Sequence, residues 1–193
     1  MLPWAACQNE PDDGEMALVA DDSTDAALDE HCVADPITLA PGTGWDGFIP
    51  LNEGDPVTMW YGPGAGWYIE IAGEVRNTRQ NVSILPVVTA LDEPSPNVIA
   101  GADGAHDAVS IALHYDDASC SGTFWSIRAY IDDDGWALPA GVSPFDAICN
   151  LEGQRLEITI TLTELDTLPP ARTVTSTVIA TAALDPVGVA ACD

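Results

Sequence analysis

The chain has 193 residues, 47% of them hydrophobic, which suits one domain with a real core and excludes global disorder. Thirty-one Asp and Glu stand against five Arg and no Lys, for a formal net charge of -26. Binding to nucleic acid needs basic side chains that displace counterions, so it is excluded, and adsorption to anionic lipid headgroups is opposed.

Residues 1–7 end in Leu2-Pro3-Trp4-Ala5-Ala6-Cys7, and Cys7 is the odd member of five cysteines. Small residues before a cysteine let a peptidase reach the bond, and the segment resembles a bacterial lipobox, with Trp4 in place of the usual Leu or Val. The resemblance implies lipidation at Cys7, with the basic and apolar parts of a signal peptide expected upstream of Met1. The alternative is a free thiol. Residues 8–31 carry nine acidic residues and no basic ones, which predicts a disordered, self-repelling tether rather than folded chain. Folding back as an edge strand is the other reading of that tract.

From residue 32 to 193 the pattern changes to alternation with a period of two, the mark of strands with one wet face. Short strands are expected at Ile37–Leu39, Phe48–Leu51 and Val57–Tyr61. Trp67, Ile69, Ile71 and Val75 define the next. The run Val82–Leu91 is apolar on both faces and reads as central, with Pro86 requiring a bulge or an edge. Val109, Ile111, Leu113 and Tyr115 form another, followed by Trp125, Ile127, Ala129 and Ile131. Leu156 to Leu162 and Val174 to Ala180 complete the set. The longest uncharged run, residues 56–69, is too short and too glycine-rich for a membrane helix. Eight or nine short antiparallel strands with Gly, Pro and Asp turns, and no helix-length periodic segment, predict an all-β immunoglobulin-like sandwich.

Phe48-Ile-Pro-Leu-Asn-Glu-Gly-Asp55, with Tyr61-Gly-Pro-Gly-Ala-Gly-Trp67-Tyr-Ile-Glu-Ile71, resembles a recurring pattern. It is similar to the uncharacterised β-sandwich domains of exported lipoproteins in myxobacteria and related bacteria. The resemblance implies an extracytoplasmic, membrane-anchored location and a sandwich fold, and carries no activity with it.

Cys32, Cys120, Cys149 and Cys192 are far apart, without the spacing of a zinc site, and are expected to form two disulfides. Four cysteines allow three pairings. The one favoured joins Cys120 to Cys149 across the loops flanking a strand, and Cys32 to Cys192 across the domain's ends.

No catalytic or nucleotide-binding motif is present. His106 and His114 fall at opposite ends of a predicted strand, roughly 26 Å apart at ~3.3 Å per residue, too far to share an ion. Carboxylates are the remaining metal candidates: Asp132, Asp133 and Asp134 after one strand, and Asp116 and Asp117 after another, with Asp103 and Asp107 flanking a turn. Calcium takes six to eight oxygens, which such loops can supply, although Asp-Gly turns arise equally for conformational reasons. Trp60, Trp67 and Trp125 are the candidates for stacking a sugar or a partner's side chain, burial being the commoner fate. The expected protein is therefore a lipid-anchored envelope module that binds protein or glycan or acts structurally, without catalysis and without an obligatory cofactor. A secreted carbohydrate-binding or hydrolytic module using Asp, Glu and Trp is the alternative, and a calcium-stabilised adhesion module the third.

Overall fold

A computed structural model describes residues 32, 35–62, 66–92, 96–102, 107–131, 138, 140–165 and 171–192. Cys7, the acidic tract 8–31, Asp103, His106 and the Asp132–Asp134 run lie outside the described residues.

Eleven strands form the fold: β1 (Thr38–Thr43), β2 (Ile49–Pro50), β3 (Pro56–Gly62), β4 (Gly66–Arg76), β5 (Asn81–Ala90), β6 (Asn97–Ala100), β7 (Val109–Ala112), β8 (His114–Asp116), β9 (Ser121–Ile131), β10 (Arg155–Glu164) and β11 (Thr173–Leu184). Two short helices accompany them, α1 (Pro144–Cys149) and α2 (Pro186–Cys192). One layer runs β8-β9-β4-β1-β2, and the other β11-β10-β5 with β6 and β7 sharing the outer edge of β5. β3 joins the layers, antiparallel to β4 and parallel to β11. The protein is thus an all-β sandwich with immunoglobulin-like pairing, and one of its ladders is parallel rather than antiparallel. The count exceeds the eight or nine expected because β6 was not read from the sequence and the expected strand at 109–115 divides into β7 and β8.

Alternation explains most of the core. Ile69, Ile71 and Val75 of β4, Val82, Ile84 and Val88 of β5, and Leu156, Ile158, Ile160 and Leu162 of β10 are all buried. They meet as one apolar cluster between the layers. On the opposite face of β10 and β11 the threonines pair across the ladder: Thr159 with Thr177, Thr161 with Thr175, and Thr163 with Thr173, at 3.1, 3.2 and 3.1 Å. β-Branched hydroxyl pairs of this kind stabilise a wet sheet face. Pro86 lies opposite Ile160 of β10, and its other side falls in the gap between the β7 and β6 registers, so its missing donor costs no ladder bond.

Two regions depart from simple alternation. The expected strand Val109–Tyr115 breaks at buried Leu113, so β7 pairs with β5 in one layer and β8 with β9 in the other. In β9, Ser126 has φ 60° and the register against β4 slips between Ile71 and Gly73. This bulge turns Phe124 and Ile127 inward and leaves Trp125 on the outer face, so Phe124 takes the core position that alternation gave to Trp125.

The disulfides pair Cys32 with Cys120 and Cys149 with Cys192, which corrects the expected pairing. Cys120 sits just before β9, and Cys149 follows the strand's far end. Eleven residues of strand span roughly 36 Å, whereas disulfide-linked Cα atoms lie roughly 4–7 Å apart. Cys120 bonds at the near pole, where Arg76 faces Ser121, and Cys149 at the far pole, where Phe145 of the same short helix lies 6.2 Å from Trp67, itself opposite Ile131.

Both helices begin with a polar cap followed by proline, a favoured start. The Asp146 amide donates to the Ser143 hydroxyl at 3.1 Å, and Asp185 accepts from the Gly188 and Tyr61 amides at 2.9 and 3.0 Å. A Cβ on Gly188 would stand 2.7 Å from the Trp67 ring, so only glycine lets α2 close over that indole.

Candidate functional site

The outer face of β3, β4 and β9 carries a row of aromatic residues built by register. Trp60 lies opposite Tyr68, and Tyr68 opposite Tyr130, with inward-facing Met59, Ile69 and Ala129 buried beneath. Trp60 and Tyr130 are 38% and 47% exposed, large values for rings on a sheet face. The Tyr68 and Tyr130 rings are 5.9 Å apart and inclined at 58°. Two residues along, Glu70 and Arg128 face each other across the same ladder.

The β1–β2 connection folds over this second row. The Thr43 hydroxyl donates to the Glu70 carbonyl at 2.7 Å, and the Ser126 amide, freed by the bulge, donates to the Gly44 carbonyl at 3.0 Å. Trp45 is thereby held above Arg128, whose guanidinium lies 5.2 Å from the Trp45 ring and 4.7 Å from the Tyr68 ring. It also donates to the Tyr130 hydroxyl at 3.5 Å, which, with the neighbouring charges and rings, raises its already high pKa. Burial pushes the Glu70 carboxyl above its ordinary value; Arg128 opposes the shift and Asp46 adds to it. Along the edge of β9 away from β4, a cleft of about 190 Å³ opens between the layers, lined by Pro86, Gly101, Asp107, Val109, Arg128 and Tyr130.

Of the tryptophans singled out in the sequence, Trp60 lies on this face. Trp125 lies outward nearer the other pole, stacked on His114 at 3.8 Å. Trp67 is buried, its ring 4.9 Å from Tyr61 and 6.2 Å from Phe145. Asp116 is engaged within its own turn, accepting from the Ala118 amide at 3.2 Å and the Ser119 hydroxyl at 2.6 Å, and Asp117 is exposed beside it. Among the described residues no group of three or more His, Cys, Asp or Glu side chains is placed to hold a metal ion. Trp45, Tyr68, Arg128 and Tyr130 were missed in the sequence as a site. Their outward phase in the predicted strands marked Tyr68, Arg128 and Tyr130 as surface neighbours, but nothing local marks the fold-over of Trp45.

No protein-family model and no curated protein matches the chain. Among solved structures it is similar to the CooA pilin subunit from enterotoxigenic Escherichia coli, at 16% identity and a TM-score of 0.34, over 76% of this chain and 99% of that one.

Proposed function

We propose that the protein is a non-catalytic binding module of the bacterial cell envelope, lipid-anchored through Cys7, that recognises protein or glycan with the outer face of β3, β4 and β9. The observation that carries this reading is the row Trp60–Tyr68–Tyr130, exposed at both ends, with the Trp45–Arg128 stack beside it. Trp, Tyr and Arg dominate the binding energy of recognition surfaces because they offer large rigid area with a polar handle. The two disulfides support an oxidising, extracytoplasmic compartment. The row lies near the far pole, whereas Cys32, next to the tether, is bonded at the near pole, so an anchored domain holds this face away from its membrane.

The acyl-free full chain is tested for retention on isolated bacterial envelopes. Trp60→Ala/Tyr130→Ala should reduce retention strongly, and Thr161→Ala on the opposite layer should not. Equal retention of all three proteins removes the assignment of the face. Mass spectrometry of the native protein from membranes tests the anchor, with a diacylated Cys7 expected and an unmodified N-terminal segment contradicting it.

A further inference from the structure

The strongest chemical feature of this face is an arginine held against two rings. Arg76, Arg155 and Arg172 pair with Glu74, Asp92 and Glu164 at 2.8, 2.6 and 2.7 Å. Among the described residues no carboxylate forms an ion pair with Arg128; Glu70, opposite it in register, acts on it through space. Two rings and the Tyr130 hydroxyl, which accepts from Nη1 at 3.5 Å, fix the guanidinium, and stacking on aromatic faces leaves the other edge of the planar N–H fork for a ligand. That fork matches a carboxylate with two parallel hydrogen bonds. Trp60 and Tyr130 flank the stack with exposed rings on which the apolar C–H face of a sugar can lie.

We propose that the outer face of β3, β4 and β9 is a binding site for carboxylate-bearing sugars, with Arg128 taking the carboxylate and the rings of Trp60 and Tyr130 the sugar faces. The charge of -26 opposes an anion at long range. At physiological ionic strength that field is screened within ~8 Å, so Arg128 and its neighbours Glu70 and Asp46 decide the outcome. Glu70, facing Arg128, makes the face intolerant of a second ligand carboxylate at that point, which favours acidic groups spaced along a chain over a dense polyanion.

The full chain is titrated calorimetrically with oligogalacturonate, an alginate oligomer and sialyllactose, each beside a neutral counterpart. At least one acidic sugar should bind, its neutral counterpart at least ~10-fold more weakly, because a charge-assisted pair is lost. Arg128→Gln should lose ~10-fold or more of that affinity and Arg128→Lys a part of it. Equal binding of acid and neutral sugars, unchanged affinity in Arg128→Gln, or no binding of any acidic sugar at millimolar concentration overturns the proposal. Binding of an acidic peptide in place of the sugars, with the same dependence on Arg128, overturns the glycan assignment. The inference rests on this face being the recognition surface. Envelope retention lost in the ring variants but intact in Arg128→Gln defeats the inference and leaves that reading standing.

Discussion

At the scale of single residues, two buried glutamates behave in opposite ways. Burial alone would raise the Glu164 carboxyl, but hydrogen bonds from Arg172 and the Arg79 amide, with the Arg172 charge, outweigh it and hold it below its ordinary value. Arg172 also donates to the Asn77 and Asp35 carbonyls at 2.8 and 3.0 Å, so one side chain closes the near pole around three segments. Arg172→Ala leaves a buried carboxylate uncompensated and should cost ~3–5 kcal/mol in urea denaturation at pH 7. A depressed carboxyl stabilises the fold above its ordinary value of 4.5 and loses that contribution as pH falls through the folded value, so the gap between variant and wild type should narrow in acid. Glu70 has the reverse sign. Its raised carboxyl favours the folded state when protonated, and stability erodes as pH rises from 4.5 through the folded value. Glu70→Gln should therefore melt above wild type at pH 7 and converge with it below pH 4.5; a lower melting temperature at pH 7 would refute the burial argument.

At the scale of elements, legibility in the sequence followed length and regularity. β4, β10 and β11 were readable because seven or more residues keep one phase, and each inward residue found the core. β9 was readable as a strand, and its expected phase holds from Ile127 to Ile131, but the Ser126 bulge reverses inside and outside before that point and puts Phe124 rather than Trp125 in the core. The aromatic row was half legible for the same reason: alternation exposes Tyr68 and Tyr130, but their adjacency to Trp60 depends on register. The helices, of six and seven residues, are too short for periodicity, yet Ser143-Pro144 and Asp185-Pro186 were their available signals. Replacing Cys149 and Cys192 by Ser should remove ~2–4 kcal/mol, read as a lowered denaturation midpoint under non-reducing conditions. Gly188→Ala should loosen α2 from Trp67, seen as increased solvent quenching of tryptophan fluorescence while β-sheet circular dichroism persists.

At the scale of the molecule, -26 charges on 193 residues repel one another in the compact state. Added sodium chloride should raise the melting temperature, most steeply at low ionic strength where screening changes fastest. A melting temperature indifferent to salt would mean that local pairs, not the overall field, set the balance. Deleting residues 8–31 should shift melting little if that tract is a spacer; a large fall would make it part of the fold.

The sulfur bridge at Cys32 also decides how the molecule carries load. Tension arriving from the chain ahead of Cys32 has a covalent route to Cys120 and so into β9, passing by β1, which lies next in sequence. The ladder of β9 with β4 covers nine residue pairs, and that of β1 with the same strand five, so a tugged leash loads the longer seam. Reducing that single bond should lower the force of the first rupture in single-molecule pulling.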